Sequence, residues 1–315
     1  MNPCNSRTGS PDPRCSAATG DGRAVDLAVR DVIVNHPFLD DSVRGSIPDL
    51  SLYGRPVALI LSTVNVNGVR AAATKGMLPW LDATEADIVC LQETRATDAQ
   101  VAAALAPALE AGWVLSHAEP ESKGRAGVGI LSRRTPDAVR IGFGSSEFAE
   151  SGRYIEADFD EVTVASVYVH SGEENTPKQD EKYRFMAEFG AYLKTRTGEF
   201  VVSGDWNIAP AEVDLKNWKG NQKSAGFLPE ERAWIAELLA AGYVDVVRAL
   251  HPDVAGPYSW WSYRGRAFDN DSGWRIDYQL ALGELPGRAK QAVVERADAY
   301  DQRWSDHAPV TVQYR

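Results

Sequence analysis

Cysteine is scarce in this sequence, with Cys4, Cys15 and Cys90 the whole complement. Three thiols cannot build a disulfide framework, and Cys4 and Cys15 have no histidine at zinc-ligand spacing. Cys90, inside the apolar run Ile88-Val89-Cys90-Leu91, reads as a buried structural thiol. Also missing is any apolar run of about 18 residues, which argues against a membrane-spanning helix. The first residues, Met1 to Gly20, are polar and lack the apolar stretch of a secretory signal. An intracellular, cytoplasmic protein is expected. Positive charge is short as well: 33 Lys and Arg face 44 Asp and Glu, a net charge of −11. That argues against coating nucleic acid by bulk electrostatics, which draws on basic residues. It leaves room for an enzyme whose carboxylates gather around a divalent cation while local basic loops grip phosphates.

What is present is an ordinary globular composition, 44% hydrophobic and 24% charged over 315 residues. Residues 1–55 read as an N-terminal extension, largely disordered, polar and Pro-punctuated over its first part and without chemistry in the rest. From Pro56 the pattern changes. Apolar runs at 57–61, 88–91, 127–131, 154–158, 162–169 and 200–203 read as strands, followed by 259–263, 274–280 and 308–313. Helical patterns at 69–83, 98–111, 180–195 and 229–241 lie between them. Strands interleaved with helices over about 260 residues indicate an α/β domain at 56–315. The strands mix alternating and continuously apolar patterns, so a mixed sheet pair covered by helices fits better than a uniform parallel sheet.

Polar groups collect at the boundaries of these runs, where a sheet presents its loops to a cleft. Asn65-Val66-Asn67-Gly68 ends the first strand, with both amides on one side. Glu93 directly follows the buried run that ends in Leu91-Gln92. Gly204-Asp205-Trp206-Asn207 repeats the two-apart polar pair. Asp277 sits between apolar neighbours in Gly273-Trp274-Arg275-Ile276-Asp277-Tyr278, and Ser305-Asp306-His307-Ala308-Pro309-Val310 opens the last strand. Each alone has a bland reading: a turn, a solvated carboxylate, a structural salt bridge or a packing histidine. Together, each at a strand boundary, they fit phosphodiester hydrolysis. Oxygen donors without cysteine suit Mg²⁺, with Mn²⁺ as a substitute, rather than zinc. A carboxylate is needed for the attacking water, and an oriented donor for the charge developing at phosphorus.

With those motifs, Leu91-Gln92-Glu93-Thr94-Arg95 and Phe227-Leu228-Pro229-Glu230-Glu231-Arg232, residues from about Pro56 to Arg315 resemble the exonuclease III class of abasic-site endonucleases. That class belongs to the endonuclease/exonuclease/phosphatase superfamily. The resemblance implies a four-layer α/β sandwich, two mixed sheets face to face with helices outside. It also implies roles: Glu93 on the metal with Asn65 and Asp306, and Asp205 on the water with Asn207, both near the metal. His307, tethered by Asp277, would stabilise the scissile phosphate, and Tyr168 would aim a phenol at it. In the family the tyrosine is followed by Pro and then Asn or Gln. Here His170 and Ser171 stand in those places, and the lost amide's contact is expected to pass to His170. Asn67, Arg95, Ser171, Trp260 and Trp274 complete the expected substrate site. The two tryptophans line a pocket for a sugar lacking its base, the nucleotide that is cheapest to extrude. Candidate phosphate grips are Arg95, Lys123, Arg125, Lys216, Lys219, Lys223, Arg264 and Arg266. The implied substrate is double-stranded DNA with abasic sites or 3′ ends, cut by a monomer away from any membrane. The alternatives are a phosphodiesterase or phosphatase of the same fold acting on a non-DNA phosphoester, and a non-catalytic DNA-binding protein.

Overall fold

The computed structural model describes residues 58–122 and 124–315. The expected extension over residues 1–55, its boundary with the domain, and Lys123 lie outside the described residues. The strands are β1 (Leu59–Asn65), β2 (Ile88–Gln92), β3 (Val114–Ala118), β4 (Val128–Ser132), β5 (Ala138–Ile141) and β6 (Tyr154–Phe159). They continue with β7 (Val162–Tyr168), β8 (Glu199–Asp205), β9 (Val244–Asp245), β10 (Asp277–Leu282), β11 (Ala289–Val294) and β12 (Val310–Tyr314). They form two six-stranded sheets, ordered β11-β12-β1-β2-β4-β3 and β5-β6-β7-β8-β10-β9. In each, one parallel pair (β1 with β2, β7 with β8) is flanked by antiparallel neighbours.

The continuous apolar runs follow from burial on both faces. On β2, Ile88 and Cys90 join the core between the sheets, while Val89 and Leu91 pack under outer helices with Val69, Leu81, Val101 and Leu105. On the other side the helix Pro177–Leu193 lays Phe185, Met186, Phe189 and Leu193 on the second sheet. The layers therefore run helix, sheet, sheet, helix, as expected. Buried side-chain amides tie the sheets together. The Gln92 amide donates to Ser166 Oγ (3.0 Å), and the Gln279 amide donates to the Leu61 carbonyl (2.9 Å). No helix among the described residues is long and apolar enough to cross a membrane.

Three expected elements differ. The helix expected at 69–83 is broken at Gly76, whose φ of 144° and ψ of −4° are not helical. The helix expected at 98–111 splits into Asp98–Ala104 and Ala106–Glu110, since Pro107 cannot donate a backbone hydrogen bond. Residues 259–263 form no strand. Trp260 pairs once with Trp274 and once with His307, two different segments, so no ladder extends.

Candidate active site

Topology brings the strand boundaries to one edge. The parallel pairs finish side by side, Asn65 beside Gln92 and Tyr168 beside Asp205. Antiparallel β10 begins there, with Asp277 opposite Asp205, and β12 begins just after His307. Two matching turns leave this edge. The Asn65 Oδ1 accepts from the Asn67 backbone N–H (2.9 Å), and the Asp205 Oδ1 accepts from the Asn207 N–H (2.9 Å). Asn67 (φ 47°), Glu93 (φ 50°) and Asn207 (φ 50°) are left-handed. Asparagine tolerates that region, whereas a glutamate there costs about 1–3 kcal/mol and must be held by its surroundings. The Gly68 N–H donating to the Glu93 carbonyl (2.8 Å) is one such restraint.

The side chains fall into three hydrogen-bonded groups. Asn65 Nδ2 donates to Glu93 Oε1 (2.9 Å) and to Asp205 Oδ2 (2.9 Å). Asn207 Nδ2 donates to the Val169 carbonyl (2.9 Å) and to Asp205 Oδ2 (3.2 Å). His307 Nε2 lies 3.9 Å from Asp205 Oδ2, and its Nδ1 lies 2.8 Å from Asp277 Oδ2. Ser259 Oγ donates to that Asp277 oxygen (2.6 Å). Asp306 accepts from Asn67 Nδ2 (2.8 Å) and Trp260 Nε1 (3.1 Å). Asp205, Asp277 and His307 are buried, and each offers a ligand atom within 4.8 Å of the others.

Burial and the Asp277 charge push the Asp205 carboxyl up to about 7, against the opposing pull of His307 and Asn65. Burial alone would depress His307. The charge and hydrogen bond of Asp277, with Asp205 and Asp306 nearby, outweigh it and push the imidazole up to about 10. Burial, then the Glu93 and Asp205 charges, raise Tyr168 well above an ordinary phenol, so it remains a neutral donor. The site therefore pairs a carboxyl poised near neutrality with a cationic imidazole.

Among the other expected residues, Arg95 contacts Glu93 Oε2, and the Trp260 and Trp274 rings meet edge-on with centroids 6.2 Å apart. Those rings pack with Leu215, Phe227 and Ile276. Trp261 is core instead, against Phe268. His170 is not brought to the acids. Its ring packs on Phe148 and Phe185, its Nε2 sits 3.2 Å from Glu181, and burial drops its pKa to about 2. Ser171 is exposed, as are Arg125, Lys216, Lys219, Lys223, Arg264 and Arg266. Arg266 pairs with Asp269 (3.4 Å). Sequence reasoning missed Ser259 and Arg153, whose guanidinium lies over the Tyr168 ring (4.8 Å). It also missed Lys182, although Lys182 falls on the apolar stripe of Phe185, Phe189 and Leu193, where a lysine is out of place.

A model of the endonuclease/exonuclease/phosphatase family matches residues 62–307. The chain is 34% identical over 262 residues to a DNA repair nuclease from Danio rerio, covering 82% of this chain and 83% of that protein. It is 36% identical over 250 residues to an exodeoxyribonuclease from Bacillus subtilis, covering 78% and 95%. Among solved structures, an AP endonuclease from Archaeoglobus fulgidus is similar at a TM-score of 0.74 and 28% identity, covering 81% of this chain and 99% of that one. A 3′-5′ exonuclease from Neisseria meningitidis gives a TM-score of 0.74 and 31% identity, with the same coverage of 81% and 99%.

Proposed function

The chain belongs to the endonuclease/exonuclease/phosphatase family, and from that premise we propose that it cuts the DNA phosphodiester 5′ to an abasic sugar and removes 3′ nucleotides or 3′ blocking groups. It is a phosphodiester hydrolase related to DNA repair nucleases. The observation that carries the reading is the buried Asp205–His307–Asp277 arrangement beside Glu93 and the Trp260/Trp274 pair.

Asp205, fixed by the Asn65 and Asn207 amides, orients a water and takes its proton. The water oxygen bonds to phosphorus as the bond from phosphorus to the 3′ oxygen breaks. The products are a 3′ hydroxyl, protonated from solvent, and a 5′ phosphate. His307, charged through Asp277, neutralises the phosphoryl oxygens, and the Tyr168 phenol donates a further hydrogen bond. The half-buried tryptophans accept a sugar without its base and reject a complete nucleotide on size.

The donor set fits a hard divalent cation, Mg²⁺ or Mn²⁺, held by Glu93 with Asn65 and Asp306, and with Asp205 and Asn207 alongside. The carboxylates of Glu93, Asp205 and Asp306 supply hard oxygens, and Glu93 already carries a cationic partner in Arg95. An Asn65 or Asn207 ligand would have to turn in its amide oxygen, because both amides now point nitrogen at Asp205. The positive charge that Asp277 favours on His307 suits that ring to the phosphate rather than to the cation. When bound, the cation draws charge off the phosphoryl and leaving oxygens. All these groups come from one chain, so a monomer suffices.

The test is a duplex with a single abasic site, given with Mg²⁺ or with EDTA, beside Asp205→Ala. Incision is expected to need the metal and to fall about 10²–10⁴-fold in the variant. A protein that cuts no duplex but releases phosphate from a small phosphoester would move the reaction to a non-DNA substrate.

A further inference from the structure

Lys182 and Glu231 form an ion pair (2.7 Å) whose side chains are both 0% exposed. Nothing in the chemistry above uses it. A buried ion pair is a poor source of stability, because desolvating both charges cancels much of their attraction. Its partners point to another use. Lys182 Nζ also donates to the carbonyls of Asn207 (2.9 Å) and Ser171 (3.4 Å). Glu231 Oε2 accepts from the N–H groups of Gly226 (2.6 Å) and Leu228 (3.0 Å), and its Oε1 accepts from the Gln179 amide (3.0 Å). The pair thus clamps the turn that carries Asn207, the turn after Tyr168, and the turn that enters the helix Pro229–Ala240.

The close packing is independent of those hydrogen bonds. A Cβ at Gly226 (φ 89°) would lie 2.9 Å from the Asn207 carbonyl oxygen and 3.2 Å from the Trp274 ring. A Cβ at Gly172 would lie 2.3 Å from Gln179 Oε1 and 3.0 Å from Lys182 Cδ. The Ala209 N–H donates to the Gly226 carbonyl (2.8 Å), closing the contact between the two turns.

We propose that Lys182 and Glu231 are positioning residues. They set the distance between Asn207, which fixes the Asp205 carboxylate, and the Phe227–Trp274 wall that seats the abasic sugar. The role rests on the nuclease reading, and the Phe227-to-Arg232 motif gains its function from it. Neither residue touches substrate. Both act through the backbone of the residues that do.

The double variant Lys182→Met/Glu231→Gln removes both charges and keeps an oxygen for the Gly226 and Leu228 N–H groups. It is expected to melt within about 4 °C of wild type. On an abasic duplex with Mg²⁺ its kcat should fall about 10–100-fold, the scale of an ångström-level misplacement, with KM within about twofold. Lys182→Met alone leaves Glu231 charged and buried, and should melt well below the double variant. Amide hydrogen exchange, which needs no activity, should quicken at 206–209 and 225–228 in the double variant and stay unchanged in β1 and β2. Wild-type kcat in the double variant would overturn the role. So would a large fall in its melting temperature, or unchanged exchange at those turns. A wild-type protein that cuts no duplex defeats the nuclease reading instead, and the exchange data still decide the clamp.

Discussion

Asp277 is the residue on which the electrostatics of the site turn. It is wholly buried, opposes Asp205 in register and holds His307 Nδ1 at 2.8 Å. Its charge raises His307 to about 10, so the imidazolium persists until pH climbs through that value. The same charge helps raise Asp205 to about 7, so the base is gained only as pH rises through neutrality. Asp277→Asn removes both influences. The acid limb should move to lower pH as Asp205 becomes a stronger acid. The alkaline limb should move down too, because only the Asp205 and Asp306 charges then oppose the burial that depresses His307. At neutral pH the loss in kcat should be about 10²–10⁴-fold. A pH–rate profile with both midpoints unmoved would show that other groups titrate. At this scale the acids, amides and His307 were legible in the sequence, because such groups rarely stand at the ends of buried strands without a partner. The setting of His170 was not legible. A substitution within a motif shows that a contact has changed, but not that the new ring turns inward onto Phe148 and Phe185.

At the scale of the element, β8 carries the site because it lies between β7 and β10. Gly204, one residue before Asp205, makes the tightest approach. A Cβ there would stand 2.0 Å from the Val167 carbonyl oxygen on β7. Gly204→Ala should therefore push the strands apart, lower stability by about 3 kcal/mol and displace Asp205 with it. A denaturation midpoint equal to wild type would show that the strands absorb the methyl group. The central strands were readable because burial on both faces leaves an unbroken apolar run. β5 (Ala138–Ile141) was not, since every residue in it is exposed at the sheet edge. Nor was β11, whose mostly exposed or half-buried residues blur its alternation. The helix carrying Lys182 was found, but its buried face was not resolved residue by residue. The apolar period fixes the stripe and does not say which polar side chain on it has a buried partner.

At the scale of the molecule, a net charge of −11 and a polyanionic substrate must be reconciled. If the nuclease reading holds, binding depends on a few local cations, with exposed Arg264 and Arg125 among the candidates. Duplex affinity should then fall with salt along a log–log slope of about −0.9 for each phosphate contact. Arg264→Ala should flatten that slope by about one contact. An unchanged slope would remove Arg264 from the interface. The sequence by itself determined the α/β class, the order of the elements and the chemical kinds of the site groups. Those depend on local period and on residue type, which one stretch of chain carries. Tertiary structure decided the rest. Two parallel pairs with antiparallel neighbours bring Asn65, Glu93, Asp205, Asp277 and His307 to one edge from positions up to 242 residues apart. The inward turn of His170 and the clamp of Lys182 on the Asn207 carbonyl are long-range facts as well. They exist only once the sheets are stacked, because burial and the satisfaction of buried charge belong to the packed chain and not to any segment of it.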